Sequence, residues 1–354
     1  MKLIYVVLLS ALLMVSCGKK NQGTDGGTTL INGAGATFPY PLYSKWFFEY
    51  HKLNPNATIN YQSIGSGGGV RQITEGTVDF GASDSPMSDA EMKKANDANG
   101  NNNIMNIPTV IGSVVLTYNI PEVKQNINLT QKAIVDIFSG KIKKWNDPEI
   151  ANANPGVTLP DKEIIVCYRT DGSGTTYVFT DFLSKASEEW KAQHGTAKDV
   201  RFPVGQGGKG NEGVTGLVKQ LAYSIGYVEY VYAIQNKLNY ANVQNPGGEF
   251  VTPSLESLTK AAEVSVAQMP DDLRQSITNA NGAGAYPISS YTYILIFQNQ
   301  KDQMKGKILK EFLNWAVTSG QQMAVDLGYA PLPSSVVEKT QGKIKTINFN
   351  GQPL

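Results

Sequence analysis

Three glycine-rich clusters constrain the fold more than anything else in this sequence: Gly33-Ala34-Gly35-Ala36-Thr37-Phe38, Gly65-Ser66-Gly67-Gly68-Gly69 and Asp171-Gly172-Ser173-Gly174-Thr175. Each follows an apolar run or its end and precedes a helical pattern. Short apolar runs alternating with amphipathic helices specify an α/β architecture. Candidate strands are Thr58–Ile64, Val78–Ala82, Val110–Tyr118, Glu163–Arg169, Ile225–Tyr230 and Thr292–Phe297. Candidate helices are Leu42–His51, Gly69–Glu75, Thr130–Ser139, Tyr177–Ala186, Gly213–Leu221, Ser254–Ala267 and Met304–Thr318. No repeat of solenoid period is present.

The chain has 354 residues, 41% apolar and 17% charged, which excludes disorder and suffices for two domains. No tandem break divides it. The runs Val110–Tyr118 and Tyr291–Phe297 suit strands that cross between lobes, so the expected organisation is discontinuous. Residues 30–112 and 288–354 would form one lobe and 113–287 the other, joined by two crossovers.

The N-terminus carries an address. Lys2 precedes an apolar run of 13 residues, Leu3 to Val15, too short for the roughly 20 that span a bilayer. A cleaved export signal over 1–16 accounts for it. Its end, Leu13-Met14-Val15-Ser16-Cys17-Gly18, reads as a bacterial lipoprotein processing box with Cys17 as the lipidated residue. The alternative is a plain secretory signal with an incidental cysteine. Residues 17–29, polar and Gly-rich, read as a flexible tether. The expected location is therefore the cell envelope, lipid-anchored at the periplasmic face or the cell surface. Of the two cysteines only Cys167 would remain unmodified, so an intrachain disulfide is excluded. Its apolar neighbours assign Cys167 to the core.

Lys plus Arg number 31 and Asp plus Glu 30, so no bulk field exists to hold nucleic acid or an anionic membrane. An anion bound here must be held by local groups. The glycine clusters supply hydroxyls and main-chain N–H groups at helix starts, where the first amides lack intrahelical partners and the dipole is positive. Taken singly, each cluster also reads as plain turn chemistry. The third has more to offer: Arg169 lies at the strand end two residues ahead of Asp171, and a carboxylate there can hold the guanidinium plane for an oxyanion. Asp84 stands apart. A carboxylate repels an anion unless the anion brings a proton, which phosphate does near neutral pH and sulfate does not. Asp84 can equally cap the helix beginning near Ser88 or bridge a turn.

The segments GAGATFPYPLY (33–43), YQSIGSGGGVRQI (61–73), VDFGASDSPMS (78–88), IPTVIGSVVL (107–116), GKIKKWNDP (140–148), RTDGSGTTYVFTDFL (169–183), VGQGGKGNEGV (204–214), SIGYVEYVYA (224–233) and YAPLPSSVVE (329–338) closely resemble the phosphate-binding proteins of high-affinity phosphate ABC transporters. The likeness runs from about Leu30 to the C-terminus. It implies an α/β, two-lobed periplasmic-binding-protein (Venus flytrap) fold, each lobe a central sheet flanked by helices, closing as a monomer over one phosphate and delivering it to the permease subunits of an ABC importer. Carried over by position, the resemblance implies that phosphate is held by Thr37, Phe38 through its N–H, Ser66, Asp84, Arg169, Ser173, Gly174 through its N–H, and Thr175, with Asp171 orienting Arg169. It also implies the proton-accepting role for Asp84.

Gly207-Gly208-Lys209-Gly210 lacks the spacing of a nucleotide phosphate loop and reads as a turn before a helix at Gly213, with Lys209 a possible source of outer charge. A phosphatase is the enzymatic rival. It would need a nucleophile with a base, or metals. Neither His51 nor His194 sits in a ligand-spaced cluster, and Ser173 lacks a GxSxG setting. The expectation is no enzyme, no cofactor and no metal. A sensor or surface receptor is the second rival, with Trp145, Tyr230 and Tyr232 available either to a partner face or to the core.

Overall fold

The computed structural model describes residues 28–354. The signal segment 1–16, Cys17 and the tether as far as residue 27 lie outside the described residues.

The chain begins with β1 (Thr29–Gly35), α1 (Tyr40–Leu53), β2 (Ala57–Ser63), α2 (Ser66–Thr74), β3 (Phe80–Ser83) and α3 (Asp89–Ala98), then enters the long strand β4 (Ile104–Asn119). A middle section follows: β5 (Asn128–Leu129), α4 (Gln131–Phe138), α5 (Pro148–Ala151), β6 (Ile165–Arg169), α6 (Gly174–Ala186), α7 (Glu188–Gln193), β7 (Gln206–Gly208), α8 (Gly210–Gln220), β8 (Ser224–Glu229), α9 (Tyr230–Gln235), β9 (Asn239–Tyr240), β10 (Asn242–Gln244), β11 (Phe250–Val251) and α10 (Leu255–Val266). The chain closes with β12 (Ser289–Phe297), β13 (Asn299–Gln300), α11 (Gln303–Ala316), α12 (Gln321–Asp326), α13 (Ser334–Lys345), β14 (Asn348–Phe349) and β15 (Gln352–Pro353).

One nine-stranded path runs β2-β1-β3-β12-β4-β8-β6-β7, with β9 paired to β4. The two ends of this path are separate half-sheets, and β4 belongs to both. Its residues Ile104–Ser113 pair antiparallel with β12, and Val114–Asn119 pair antiparallel with β8. Every residue of β4 except the last is buried, so the strand is a continuous apolar run without the alternation of a half-exposed one. The return crossing is made at Ile288, whose carbonyl accepts from Val114 N at 2.8 Å. β12 then pairs along its length within the first half-sheet, against β3 and β4. Both passages between halves therefore lie side by side.

Helices flank each half-sheet. α1 turns Leu42, Tyr43, Trp46, Phe47 and Tyr50 inward at the spacing of one helical face. In the second half Phe138, Phe179, Phe202 and Tyr227 form an aromatic cluster, with ring centroids of Phe179 and Tyr227 4.5 Å apart. Trp145 and Tyr232 are buried, so neither presents a partner face, and Tyr230 is half-buried. Cys167 is fully buried, and burial pushes its thiol up to about 11, an inert core residue.

Three helices start earlier than their apolar periodicity predicts. α2 begins at Ser66 and not at Gly69, α6 at Gly174 and not at Tyr177, and α8 at Gly210 and not at Gly213. In each case the glycine cluster is itself the first turn. Glycine opposes helix by about 1 kcal/mol per residue, so something tertiary must outweigh it. In α2 the cause is close approach: a Cβ on Gly69 would lie 2.5 Å from Ala82 O and 2.7 Å from Gly35 Cα. Only a bare backbone lets α2 sit against the ends of β1 and β3.

Gly69→Ala is therefore expected to destabilise the protein. The gain in helix propensity is about 1 kcal/mol, whereas forcing a methyl group against main chain costs about 1–3 kcal/mol or more. A urea unfolding midpoint that rises in this variant would contradict the packing argument.

Candidate functional site

The helix starts displaced into the glycine clusters meet where the two half-sheets face each other. Ser66, Gly174 and Thr175 lie in the first turns of α2 and α6, so no earlier carbonyl of the helix can accept from their N–H groups. The two turns touch: Gly67 N donates to Gly172 O at 2.8 Å across the halves. A Cβ on Gly174 would lie 2.7 Å from Asp84 Cβ and closer still to Asp84 Oδ2 and Ser66 Oγ. At the rim, Lys198 of the second half reaches Glu91 of the first at 2.6 Å.

Asp84, immediately after β3, is 1% exposed. It does not cap α3. Ser88 performs that task, its Oγ accepting from Glu91 N while Glu91 Oε2 accepts from Ser88 N. The Asp84 carboxyl instead accepts from Thr292 Oγ1 at 2.8 Å and from Ser66 Oγ at 3.3 Å. Burial pushes it up to about 7, against the opposing pull of the Thr292 hydrogen bond, the Arg169 charge and the Ser66 hydroxyl.

Arg169 closes β6 and is buried, its side chain 1% exposed. Its Nε donates to Asp171 Oδ1 at 2.8 Å and its Nη2 to Asp171 Oδ2 at 2.6 Å, a two-point grip that fixes the guanidinium plane. Burial works to raise Asp171, but the Arg169 hydrogen bonds and charge outweigh it and hold the carboxyl below the usual range. Gly210 N adds a third bond to Asp171 Oδ1 at 2.9 Å. Arg169 Nη1 donates to Thr175 Oγ1 at 3.1 Å. Ser173 is the N-cap of α6, its oxygen accepting from Thr176 N at 2.9 Å, which leaves the hydroxyl hydrogen free to donate elsewhere.

Thr37 and Phe38 follow β1. Their carbonyls are held by Tyr232 Oη at 2.6 Å and Tyr329 Oη at 2.7 Å, so their peptide planes are fixed by one residue from the middle of the chain and one from near its C-terminus. All eight candidate ligand residues and Asp171 thus fall in one region between the halves. Sequence reading missed Thr292 and Asn211. Thr292 was visible only as a candidate strand residue. Asn211 lies in the segment read as a plain turn, where Lys209 drew attention. Lys209 is in fact exposed at the start of α8, and the next two residues turn inward. Its polar pattern gave no signal, since nothing in it reveals that α8 points at β1. His51 Nδ1 sits 2.7 Å from Ala57 O, and His194 packs at a tilt against Trp190 with ring centroids 4.5 Å apart, so both are occupied structurally.

The arrangement offers main-chain and hydroxyl donors, one guanidinium held in plane by Asp171, and the Asp84 carboxyl, pushed up to about 7, which becomes an acceptor for a protonated oxygen once its own proton is lost. That set can hold a small oxyanion carrying a single proton. Two half-sheets hinged on one strand, with such a site between them, define a two-lobed solute-binding protein. A family model described as a PBP superfamily domain matches residues 21–319. The chain is 46% identical over 317 residues to the phosphate-binding protein PstS of Pasteurella multocida, covering 89% of this chain and 90% of that one, and 38% identical over 331 residues to PstS of Methanocaldococcus jannaschii, covering 88% and 84%. A solved phosphate-binding protein from Stenotrophomonas maltophilia shares the fold with a TM-score of 0.68 at 22% identity, over 89% of this chain and 93% of that one. The chain belongs to the PstS phosphate-binding protein family.

The raised Asp84 carboxyl has a consequence for stability. Its folded-state value lies above its unfolded one, so the ligand-free protein is favoured below the ordinary carboxylate range and loses that advantage as pH rises through about 7. Asp84→Asn removes a buried charge at pH 8 and changes little near pH 4. The variant should be more stable than wild type at pH 8 by on the order of a few kcal/mol in unfolding free energy and melt at a higher temperature, with the difference vanishing at acid pH. Equal shifts at both pH values would mean that the carboxyl is not charged in the folded state.

Proposed function

We propose that this protein captures inorganic phosphate between its lobes and delivers it to the permease of an ABC importer. Residues 30–112 with 288–354 act as one lobe and 113–287 as the other, moving about the paired passages at Ser113–Val114 and Ile288. Phosphate is held by Thr37, Ser66, Asp84, Arg169, Ser173 and Thr175 and by the N–H groups of Phe38 and Gly174, with Asp171 holding Arg169 in plane. The observation that carries this reading is Asp84: a buried carboxyl, pushed up to about 7, that sits against the Ser66 and Thr292 hydroxyls and the first turn of α6.

Hydrogen bonds to charged groups contribute about 1.5–3 kcal/mol each. Several of them, after desolvation, suffice for the roughly 8 kcal/mol of micromolar affinity. Contacts from both lobes make the closed state the one that phosphate favours, which is hinge closure by differential binding. Phosphate near neutral pH presents a proton to the Asp84 carboxylate. Sulfate presents none and faces a buried negative charge, so it is rejected. Below about pH 7 a protonated Asp84 becomes a donor, and discrimination narrows.

The names of the relatives support a binding protein over a phosphatase. Both histidines are occupied away from Ser173. Lipid anchoring through Cys17, after export, would hold the protein at the envelope as a monomer. No helix among the described residues is long and apolar enough to cross a membrane.

Calorimetric titration of ligand-stripped Cys17→Ser protein tests the reading. Phosphate should bind at micromolar or tighter Kd with weak salt dependence, and sulfate should not bind at pH 8. Sulfate binding should emerge in Asp84→Asn and, in wild type, as pH falls below 7. Equal affinity for both anions at pH 8 would remove the proton-based selectivity. Gly174→Ala, whose methyl group would meet Asp84 and Ser66, should weaken phosphate binding by about 100-fold, read by the same titration.

A further inference from the structure

Asn211, the second residue of α8, is fully buried and makes four hydrogen bonds within the site. Its amide orientation follows from chemistry. Glu229 N can only donate, and it lies 2.9 Å from Asn211 Oδ1, so the amino group faces the other way. That group has two hydrogens and meets two hydroxyl oxygens, Thr37 Oγ1 at 2.8 Å and Thr175 Oγ1 at 3.2 Å. Each oxygen also accepts a second bond. Thr37 Oγ1 takes the Asn211 main-chain N–H at 3.2 Å, and Thr175 Oγ1 takes Arg169 Nη1 at 3.1 Å.

A hydroxyl has one hydrogen and two acceptor positions. In both threonines the acceptor positions are filled, and only the hydrogen is left. We propose that Asn211 is a positioning residue that sets the polarity of the phosphate cradle, locking the hydroxyls of Thr37 and Thr175 as donors so that Asp84 is the cradle's acceptor. This inference rests on the phosphate reading above. Without the lock, either hydroxyl could turn a lone pair toward a protonated phosphate oxygen, and the anion's proton would no longer be directed to Asp84. Because Thr37 belongs to one lobe and Asn211 to the other, the lock forms only on closure. It therefore couples hydroxyl polarity to the closed state.

A double-mutant cycle separates this role from simple packing. Phosphate affinity is measured by equilibrium dialysis with labelled phosphate for wild type, Asn211→Ala, Thr37→Val, Thr175→Val and the two paired variants, with urea unfolding of each as the control for folding. If Asn211 acts through the hydroxyls, Asn211→Ala should weaken binding about 30-fold in wild type and by a clearly smaller factor, about 5-fold, in either valine background. An equal loss in all backgrounds, or binding abolished in the paired variants, would overturn the proposal. The cycle is repeated with Asn211→Asp, which keeps the shape and the bond from Glu229 N. Its added charge acts in every background and cancels in the cycle. Failure of wild-type protein to bind phosphate would instead remove the reading on which the proposal stands.

Discussion

Strand β4 is hydrogen-bonded to β12 over its first part and to β8 over its second, and everything else in the molecule is arranged around that change of partner. A strand shared by two half-sheets keeps them connected through one continuous backbone, with the change of partner falling between Ser113 and Val114. The return passage at Ile288 is bonded to the same point. The facing turns of α2 and α6 meet across the halves, Gly67 N donating to Gly172 O. The glycines in those turns then matter for access, since a Cβ on either surface would keep the backbones apart.

The chemistry between the halves depends on a balance of polarity and not on net charge. Arg169 is matched by Asp171, leaving the guanidinium fixed in plane and the local charge small. Backbone N–H groups and hydroxyls then supply directed partial charges, which cost no reorganisation when an anion arrives. Against this background the buried Asp84 carboxyl, with the fully buried Glu229 carboxyl close enough to oppose its charge, is expensive in the ligand-free protein. That cost is typical of sites in which function and stability compete. Asn211 extends the same logic, because hydroxyls are ambiguous groups until their lone pairs are occupied.

Much of the site was legible in the sequence. The glycine clusters, Arg169 with Asp171 two residues on, and the odd carboxylate Asp84 are local patterns whose residue types suit an anion; taken alone they read equally as turns and caps, and the resemblance to phosphate-binding proteins supplied their roles. The families of strands and helices were legible through apolar periodicity. Helix starts were not. Periodicity marks where an apolar face begins, whereas α2, α6 and α8 begin in glycines that only tertiary approach makes tolerable. Thr292 and Asn211 were illegible because their roles consist entirely of contacts with distant residues, Asp84 for one and Thr37 with Thr175 for the other.

The sequence by itself determined the α/β class, the absence of a bulk electrostatic field and the identity of the groups available to an anion, because composition, periodicity and short-range motifs are local properties. Only the tertiary structure decided that Asp84 is buried against Ser66 and Thr292 and does not cap a helix, that Asn211 of α8 bonds both Thr37 and Thr175, and that the passages between halves lie side by side. Those outcomes depend on which backbones can approach each other across the sheet, a long-range property that no window along the chain contains.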